Sequence, residues 1–155
     1  MTEQAPLDHL RQLLDAAGAD YALFEHPETV FSAEDGVQQG IGSLGEMAPT
    51  LILETEKGCF AAILSGGTRL SRKKIKKQLG LKNIALAQPD RVYELTGAEV
   101  GSVSLINPGL PTLIDIRLAD VVYGGCGFPY HTLRIHRADL IRITEALVFD
   151  LADSL

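Results

Sequence analysis

Two apolar runs of strand length follow one another near the middle of this chain. The first is Thr50-Leu51-Ile52-Leu53, the second is Phe60-Ala61-Ala62-Ile63-Leu64, and a polar segment, Glu54-Thr55-Glu56-Lys57-Gly58, lies between them. Short apolar runs separated by polar residues and a glycine are typical of two strands joined by a turn. The pair therefore predicts a β-hairpin, and the elements on either side of it decide the fold class.

Helices and further strands are interleaved around this hairpin. Leucines at helical spacing, followed by Gly18, predict a first helix over residues 6–17, and Ser32 with Asp35 predicts the start of a second. Further helices are predicted at 72–79, 89–96 and 138–151, and further strands at 21–25, 84–87, 100–104, 112–116, 121–123 and 133–135. Because strands and helices do not alternate regularly, we expect an α+β domain with a mixed, mostly antiparallel sheet.

Length and cysteine usage limit the class of protein. A chain of 155 residues suits one domain with one core, so we expect a single domain over residues 1–155. Cys59 and Cys126 form no Cys-x-x-Cys pair, which argues against a zinc ribbon and favours a reducing, cytoplasmic setting. No signal-peptide pattern opens the chain and no run of eighteen apolar residues occurs, so a membrane is not an expected partner.

Charge is divided unevenly along the chain. The stretch from Lys57 to Pro89 holds eight Lys or Arg residues and no Asp or Glu, although the formal net charge of the whole chain is -6. Most of these cations fall in the predicted helix 72–79, with Ser71 as its N-cap and Gly80 as its end. Cations in a first helical turn oppose the helix dipole, and a bound anion would relieve this. We expect a phosphate backbone as the partner; the alternative is a solvated lysine-rich face.

Several motifs that would indicate other chemistry fail in their context. Residues 40–45 match Gly-x-Gly-x-x-Gly, but a helical stretch precedes them and Pro49 and a strand follow, so they do not form a dinucleotide fingerprint. His131 and His136 are five residues apart, a spacing that on a strand points them to opposite faces, which argues against a metal site. No Ser or Cys nucleophile is paired with an identifiable base.

Two glycine-containing loops are the remaining candidates for a site. One runs from Gly97 through Gly101 to Leu105, and the other, Gly124-Gly125-Cys126-Gly127-Phe128-Pro129, joins two predicted strands. Glycine allows close approach of a ligand to the backbone, whose N–H groups can then bind a carbonyl oxygen or an oxyanion. A tight turn and a bulge are the alternative interpretation of the second loop.

The order of these segments resembles the YbaK/EbsC family, whose domain is also found as an editing module in bacterial prolyl-tRNA synthetases. The resemblance covers nearly the whole chain. The matching segments are Phe24-Glu25-His26-Pro27, Thr50 to Leu53, Ser71 to Gly80, Thr96-Gly97 through Gly101 to Ser104, Leu113-Ile114-Asp115, Leu133-Arg134-Ile135 and Ala138-Asp139-Leu140.

The resemblance implies a compact α+β domain with a barrel-like sheet and surrounding helices that hydrolyses the ester of a mischarged tRNA in trans. The implied partners are the aminoacylated acceptor end of tRNA and, as a further candidate, an aminoacyl-tRNA synthetase; DNA, a metal and an organic cofactor are not implied. The site residues carried over are Gly101, Ser102 and Ser104 at the ester, Phe31, Thr50, Gly124, Gly125 and His131 at the aminoacyl group, and Arg72, Lys73, Lys74, Lys76 and Lys77 on the tRNA.

One position departs from the family pattern in a way that bears on activity. Family members usually have a lysine immediately before the Thr-Leu of the first hairpin strand, and this chain has Pro49 there. Proline has neither a charge nor an N–H, and loss of one electrostatic stabiliser commonly lowers a rate about 100-fold to 1000-fold. The sequence therefore leaves two hypotheses, a deacylase with an atypical site and a family member that binds without hydrolysis.

Overall fold

The computed structural model describes residues 4–154, with five α-helices and ten strands. The helices are α1 (Gln4–Ala16), α2 (Ala33–Gln38), α3 (Arg72–Leu79), α4 (Pro89–Thr96) and α5 (Arg137–Thr144), and Leu44–Glu46 form a 3-10 turn. The strands are β1 (Tyr21–Glu25), β2 (Thr50–Thr55), β3 (Gly58–Ile63), β4 (Thr68–Leu70), β5 (Ile84–Leu86), β6 (Thr112–Asp115), β7 (Val121–Gly124), β8 (His131–His136), β9 (Leu147–Phe149) and β10 (Ala152–Ser154). No helix within residues 4–154 has the length and apolar character needed to cross a membrane.

Local sequence signals set the ends of several helices. The Ser32 hydroxyl accepts from the Asp35 backbone N–H at 3.1 Å, and the Ser71 hydroxyl accepts from that of Lys74 at 3.2 Å. Gly80 and Gly97 end α3 and α4 in the left-handed conformation, with φ of 66° and 74°. These caps satisfy backbone groups that a helix end leaves without partners, and they confirm the predicted starts and stops.

The predicted hairpin is confirmed and forms the centre of the largest sheet. β2 and β3 are antiparallel, with Thr50 opposite Ile63 and Thr55 opposite Gly58. The sheet has the order β5-β2-β3-β6-β9, in which the β3–β6 and β6–β9 pairs are parallel. A three-stranded antiparallel sheet, β1-β8-β7, and a two-stranded sheet, β10-β4, complete the fold.

The α+β class and the mostly antiparallel pairing are thus as predicted. The strands of residues 4–154 form three sheets instead of one closed barrel-like sheet. Buried side chains pack in clusters between the sheets and helices, and Ile75 of α3 is fully buried against the face of the large sheet that includes Leu53 and Leu113. The helix that carries most of the basic residues is therefore anchored by its apolar face.

Two segments differ from the prediction. Residues 100–104 were predicted as a strand but form a turn at 100–101, where Gly101 has a φ of 91° and Ser102 N–H donates to the Glu99 carbonyl oxygen at 3.0 Å. Of this segment, only Ser104 makes a β-type contact, an isolated bridge to Gly125. The last helix was predicted to reach residue 151 but ends at Thr144, because Glu145 adopts the left-handed conformation with a φ of 53°. The chain then forms β9 and β10, which the sequence did not indicate, and β4 was also missed.

Candidate functional site

A cavity of about 460 Å³ lies where the start of β2 meets the turn at 100–103, the end of β7 and the start of β8. Its wall is mostly apolar, and the start of α2 and the whole of β4 complete it. Seven of the residues predicted at the ester or the aminoacyl group line this one cavity: Phe31, Thr50, Gly101, Ser102, Gly124, Gly125 and His131. The structure thus brings together segments that are up to a hundred residues apart in the sequence.

Thr50 supplies the cavity with an unsatisfied polar group. The residue is only 9% exposed, and within residues 4–154 its hydroxyl oxygen has no hydrogen-bond partner. Burial of a hydroxyl without a hydrogen bond is unfavourable by roughly 1–3 kcal/mol. Such a group in a cavity wall is accounted for if a ligand or a water supplies the missing partner.

The glycines are required where two loops meet backbone to backbone. A Cβ at Gly101 would clash with the carbonyl oxygen of Phe31, and a Cβ at Gly125 would clash with that of Val103. A Cβ at Gly124 would lie 2.6 Å from the Leu105 side chain. Close packing between segments therefore explains these three glycines, all of which line the cavity.

The two predicted serines have different positions. The Ser102 side chain is buried in the cavity wall, and its hydroxyl donates to the Glu99 carbonyl oxygen at 3.1 Å. Ser104 is not among the cavity-lining residues, and its hydroxyl accepts from the Ile106 N–H at 3.1 Å while its carbonyl accepts from the Asn107 side chain at 2.6 Å. Ser104 therefore shapes the loop from outside the cavity.

A histidine and a threonine that the sequence analysis did not assign also belong to this site. His26 is buried, with Nδ1 at 2.7 Å from the Glu28 carbonyl oxygen and Nε2 at 2.9 Å from the Thr132 hydroxyl. A carbonyl only accepts, so Nδ1 carries a proton, and in the neutral ring Nε2 accepts from Thr132. Thr132 lines the cavity beside His131, and the His26-Pro27 pair at the end of β1 was the available signal.

His131 occupies the first position of β8, at the cavity wall. Its side chain is 13% exposed, and Nε2 lies 3.5 Å from a carboxylate oxygen of Glu25, the residue opposite it on β1. His136, at the other end of the strand, pairs with Asp20 at 3.0 Å and does not line the cavity. In the described part of the chain, no three His, Cys, Asp or Glu side chains are grouped so that they could hold a metal.

The basic residues of α3 do not all face solvent. Arg72, Lys73 and Lys77 are exposed and Lys76 is half-buried. Lys74 turns to the C-terminal strands, where its Nζ lies 3.0 Å from Asp153, 3.1 Å from Asp150 and 2.7 Å from the Ala152 carbonyl oxygen. Hydrogen bonds to Asp153 and Asp150 raise the pKa of Lys74. Lys74 therefore has a structural role and is not available to a partner in this arrangement.

Pro49 also lines the cavity, next to Thr50. The lysine that the resemblance leads us to expect is thus absent from the wall itself. Apart from His131, the wall residues that have a titratable or cationic side chain are Glu34 of α2, Tyr123 of β7 and Arg69 of β4. In the sequence, Arg69 stands out only as one of the eight basic residues between Lys57 and Pro89.

Comparison with known proteins shows a match over most of the chain. Residues 27–143 match the model of the aminoacyl-tRNA editing domain. A curated relative, "Proline--tRNA ligase" of Moorella thermoacetica, is 32% identical over 91 residues, which are 56% of this chain and 16% of that protein. The chain thus spans about a sixth of the length of this relative.

Solved structures share the whole fold. The crystal structure of hypothetical protein APE2540 matches with a TM-score of 0.86 and 27% identity, over 93% of this chain and 99% of that one. The crystal structure of a candidate trans-editing enzyme for prolyl tRNA synthetase matches with a TM-score of 0.85 and 25% identity, over 99% of both chains. The structural similarity therefore extends over nearly the whole of this chain and of both solved chains.

Proposed function

Because this chain belongs to the aminoacyl-tRNA editing domain family, we propose that it is a trans-acting deacylase that hydrolyses the ester between a wrongly attached amino acid and its tRNA. The observation that carries this proposal is the Thr50 hydroxyl, which is buried in the wall of the cavity with no partner among residues 4–154. An aminoacyl ester bound in the cavity would supply that partner. The Thr132 hydroxyl, held by His26, is a second polar group on the same wall.

The proposed reaction uses water as the nucleophile. Water adds to the ester carbonyl carbon, the bond to the ribose oxygen breaks, and that oxygen takes up the proton that the water loses. The products are a free amino acid and uncharged tRNA. The backbone at Gly101 and at Gly124–Gly125 is the proposed source of donors for the oxyanion, because an oxyanion gains most from donors that are already fixed in place. The Ser102 N–H is not among them, since it donates to the Glu99 carbonyl oxygen.

The tRNA is proposed to lie along α3. The proposed contact surface consists of Arg72, Lys73, Lys76 and Lys77. Lys74 is not part of it, because its ammonium group is paired with Asp150 and Asp153. β4 lines the cavity and ends one residue before the cap of α3, so a bound acceptor stem would have its 3′ end near the cavity. A synthetase remains a second proposed partner, on the basis of the relative reported above.

A panel of mischarged tRNAs tests the proposed reaction. The wild-type chain is expected to hydrolyse at least one of them above the rate in buffer. The Thr50→Val variant, which removes only the hydroxyl, is expected to be slower by about 10-fold to 100-fold, since one hydrogen bond to the reacting group is lost. Hydrolysis of every tRNA at the buffer rate would refute the proposal.

The second candidate is a non-catalytic family member that recognises the same aminoacylated end. Pro49 at the wall favours it, because the cavity lacks the usual lysine at this position. This candidate predicts binding of aminoacyl-tRNA with steep salt dependence and an intact ester. It also predicts that the wild-type chain is inactive and that the Pro49→Lys variant gains hydrolysis. If the chain is instead a deacylase that does not need this lysine, the wild-type chain with Pro49 hydrolyses the ester already.

A further inference from the structure

Arg69 is a permanent cation at the cavity wall that the proposed mechanism does not use. It is exposed and lies in the middle of β4, and its neighbours Thr68 and Leu70 also line the cavity. Within residues 4–154, the wall has one other residue with a charged side chain of this kind, the acid Glu34, which belongs to α2. With Pro49 in the position of the expected lysine, Arg69 is the wall's one Lys or Arg within the described residues.

Arg69 also differs from most arginines of this protein in having no acidic partner. Six of the eight arginines form an ion pair with Asp or Glu, and Arg69 and Arg72 form none with any acid in residues 4–154. The six are Arg11, Arg91, Arg117, Arg134, Arg137 and Arg142. Arg69 therefore keeps its full set of donors for an external anion.

An acid is nevertheless close to Arg69, and another residue holds it. Asp153 of β10 is directly opposite Arg69 in the β4–β10 pair, so the two side chains emerge on the same face. The Asp153 carboxylate instead pairs with Lys74 at 3.0 Å. We infer from this arrangement that Lys74, by binding Asp153, leaves Arg69 free.

The position of Arg69 between the cavity and α3 indicates which anion it takes. β4 ends at Leu70 and α3 begins at Arg72, so Arg69 stands where the cavity wall continues into the basic surface. A guanidinium matches a phosphate group through two parallel hydrogen bonds, and an exposed one suits an anion at the cavity mouth. Resting on the function proposed above, we propose that Arg69 binds the phosphate that precedes the terminal adenosine of the tRNA and so fixes how deeply the ester enters the cavity.

Binding of AMP and of adenosine to the full chain tests this assignment without any need for hydrolysis. The wild-type chain is expected to bind AMP about 10-fold or more tightly than adenosine, since a charge-assisted contact of this kind is worth at least that factor. The Arg69→Gln variant is expected to lose this preference while its affinity for adenosine stays within about twofold. The matched control Arg142→Gln removes the same charge from α5, outside the cavity, and is expected to keep the preference.

Two further variants refine the test. Arg69→Lys keeps the charge but not the planar pair of donors, and an intermediate preference for AMP is expected. Lys74→Met frees Asp153 to pair with Arg69, so the preference should fall several-fold; an unchanged preference would overturn the role given to Lys74. Equal binding of AMP and adenosine by the wild-type chain, or an unchanged preference in Arg69→Gln, would overturn the phosphate site.

Hydrolysis of two esters separates this inference from the proposed function. The Arg69→Gln variant should raise KM for an aminoacylated RNA minihelix with little change in kcat, and should leave hydrolysis of aminoacyl-adenosine, which lacks the phosphate, unchanged. A loss of equal size with both esters would show that Arg69 acts elsewhere than on the phosphate. If the wild-type chain hydrolyses neither ester, the proposed function fails, and the AMP comparison still decides the role of Arg69.

Discussion

Nε2 of His26 lies 2.9 Å from the hydroxyl of Thr132, although the two residues are 106 positions apart. The other ring nitrogen is held by the Glu28 carbonyl oxygen, so the imidazole has one orientation and the Thr132 hydroxyl has a fixed partner. His26 thus joins the end of β1 to the cavity wall on β8. It acts on the cavity through Thr132, because His26 is not itself a lining residue.

Replacement of His26 by alanine should reduce both stability and activity. The Thr132 hydroxyl and the Glu28 carbonyl would lose their partner, at a cost of about 1–3 kcal/mol in the free energy of unfolding. Urea unfolding measures this loss, and deacylation by the folded variant measures the effect on the cavity. The control is His136→Ala at the far end of β8, where an ion pair with the exposed Asp20 is lost and a change of about 0–1 kcal/mol is expected. Equal losses in the two variants would contradict this role of His26.

The Thr50→Val substitution should separate stability from activity. The valine keeps the shape of threonine and removes a buried hydroxyl that has no partner in residues 4–154, so stability should stay the same or rise by about 1 kcal/mol. Activity should fall, as argued above. In the control Thr112→Val, the lost hydroxyl donates to the Leu110 carbonyl oxygen, so that variant should be less stable. A large loss of stability in Thr50→Val would show that its hydroxyl has a structural partner.

Gly101 and Gly109 form a matched pair for measurement of the loop contact. Their φ values are 91° and 89°, but a Cβ at Gly109 would have no atom within 4 Å, whereas one at Gly101 would clash with the Phe31 carbonyl oxygen. Gly109→Ala should therefore show the backbone strain alone, about 1–3 kcal/mol. Gly101→Ala should be less stable than that and should lose activity, as measured by urea unfolding and deacylation. Equal stability of the two variants would mean that the Phe31 segment moves away freely.

Asp150 should make the stability of the protein depend on pH in the acidic range. Hydrogen bonds from Arg117 and Lys74 hold the pKa of Asp150 below its ordinary value of 3.8. Since the folded-state pKa is the lower one, this stabilisation is fully present above about 3.8 and is lost as the pH falls through the folded-state value. Urea midpoints of the wild-type chain and Asp150→Asn should therefore differ near neutral pH and converge in acid. A difference that persists at the lowest pH would contradict this assignment.

Charge reversal on α3 should weaken binding of tRNA without an effect on the cavity. Lys73→Glu and Lys77→Glu change two exposed side chains, and each lost phosphate contact should lower the slope of log affinity against log salt by about 1. Hydrolysis of aminoacyl-adenosine should be unchanged. Arg142→Glu, on α5, is the control for net charge. An unchanged salt slope in both lysine variants would favour α3 as a protein contact or a solvated face.

Local signals predicted most elements, and non-local pairing explains the errors. Ser71 with Gly80 and Pro89 with Gly97 mark the ends of α3 and α4 in the sequence itself. The end of α5 has no such mark, because Glu145 adopts a left-handed conformation that favours glycine. Residues 147–149 form a strand through pairing with β6, which periodicity along the chain cannot reveal.

The composition of the cavity was predictable in part. The resemblance pointed to Thr50, Gly101 and the loop at Gly124–Gly125, all of which line one cavity. The roles of Lys74 and Arg69 depend on the pairing of β4 with β10, two three-residue strands with no sequence signature. The ion pair of Lys74 with Asp153 and the place of Arg69 at the cavity therefore required the structure.

The backbone contacts of Gly101 with Phe31 and of Gly125 with Val103 limit how this scaffold can diversify. No side chain at either glycine takes part, so substitution there cannot adjust the spacing of the loops without disrupting it. New substrate preferences must arise from side chains on the wall, such as Val30 and Met47. A library that randomises such wall positions and keeps both glycines would explore cavity shape while the frame stays intact.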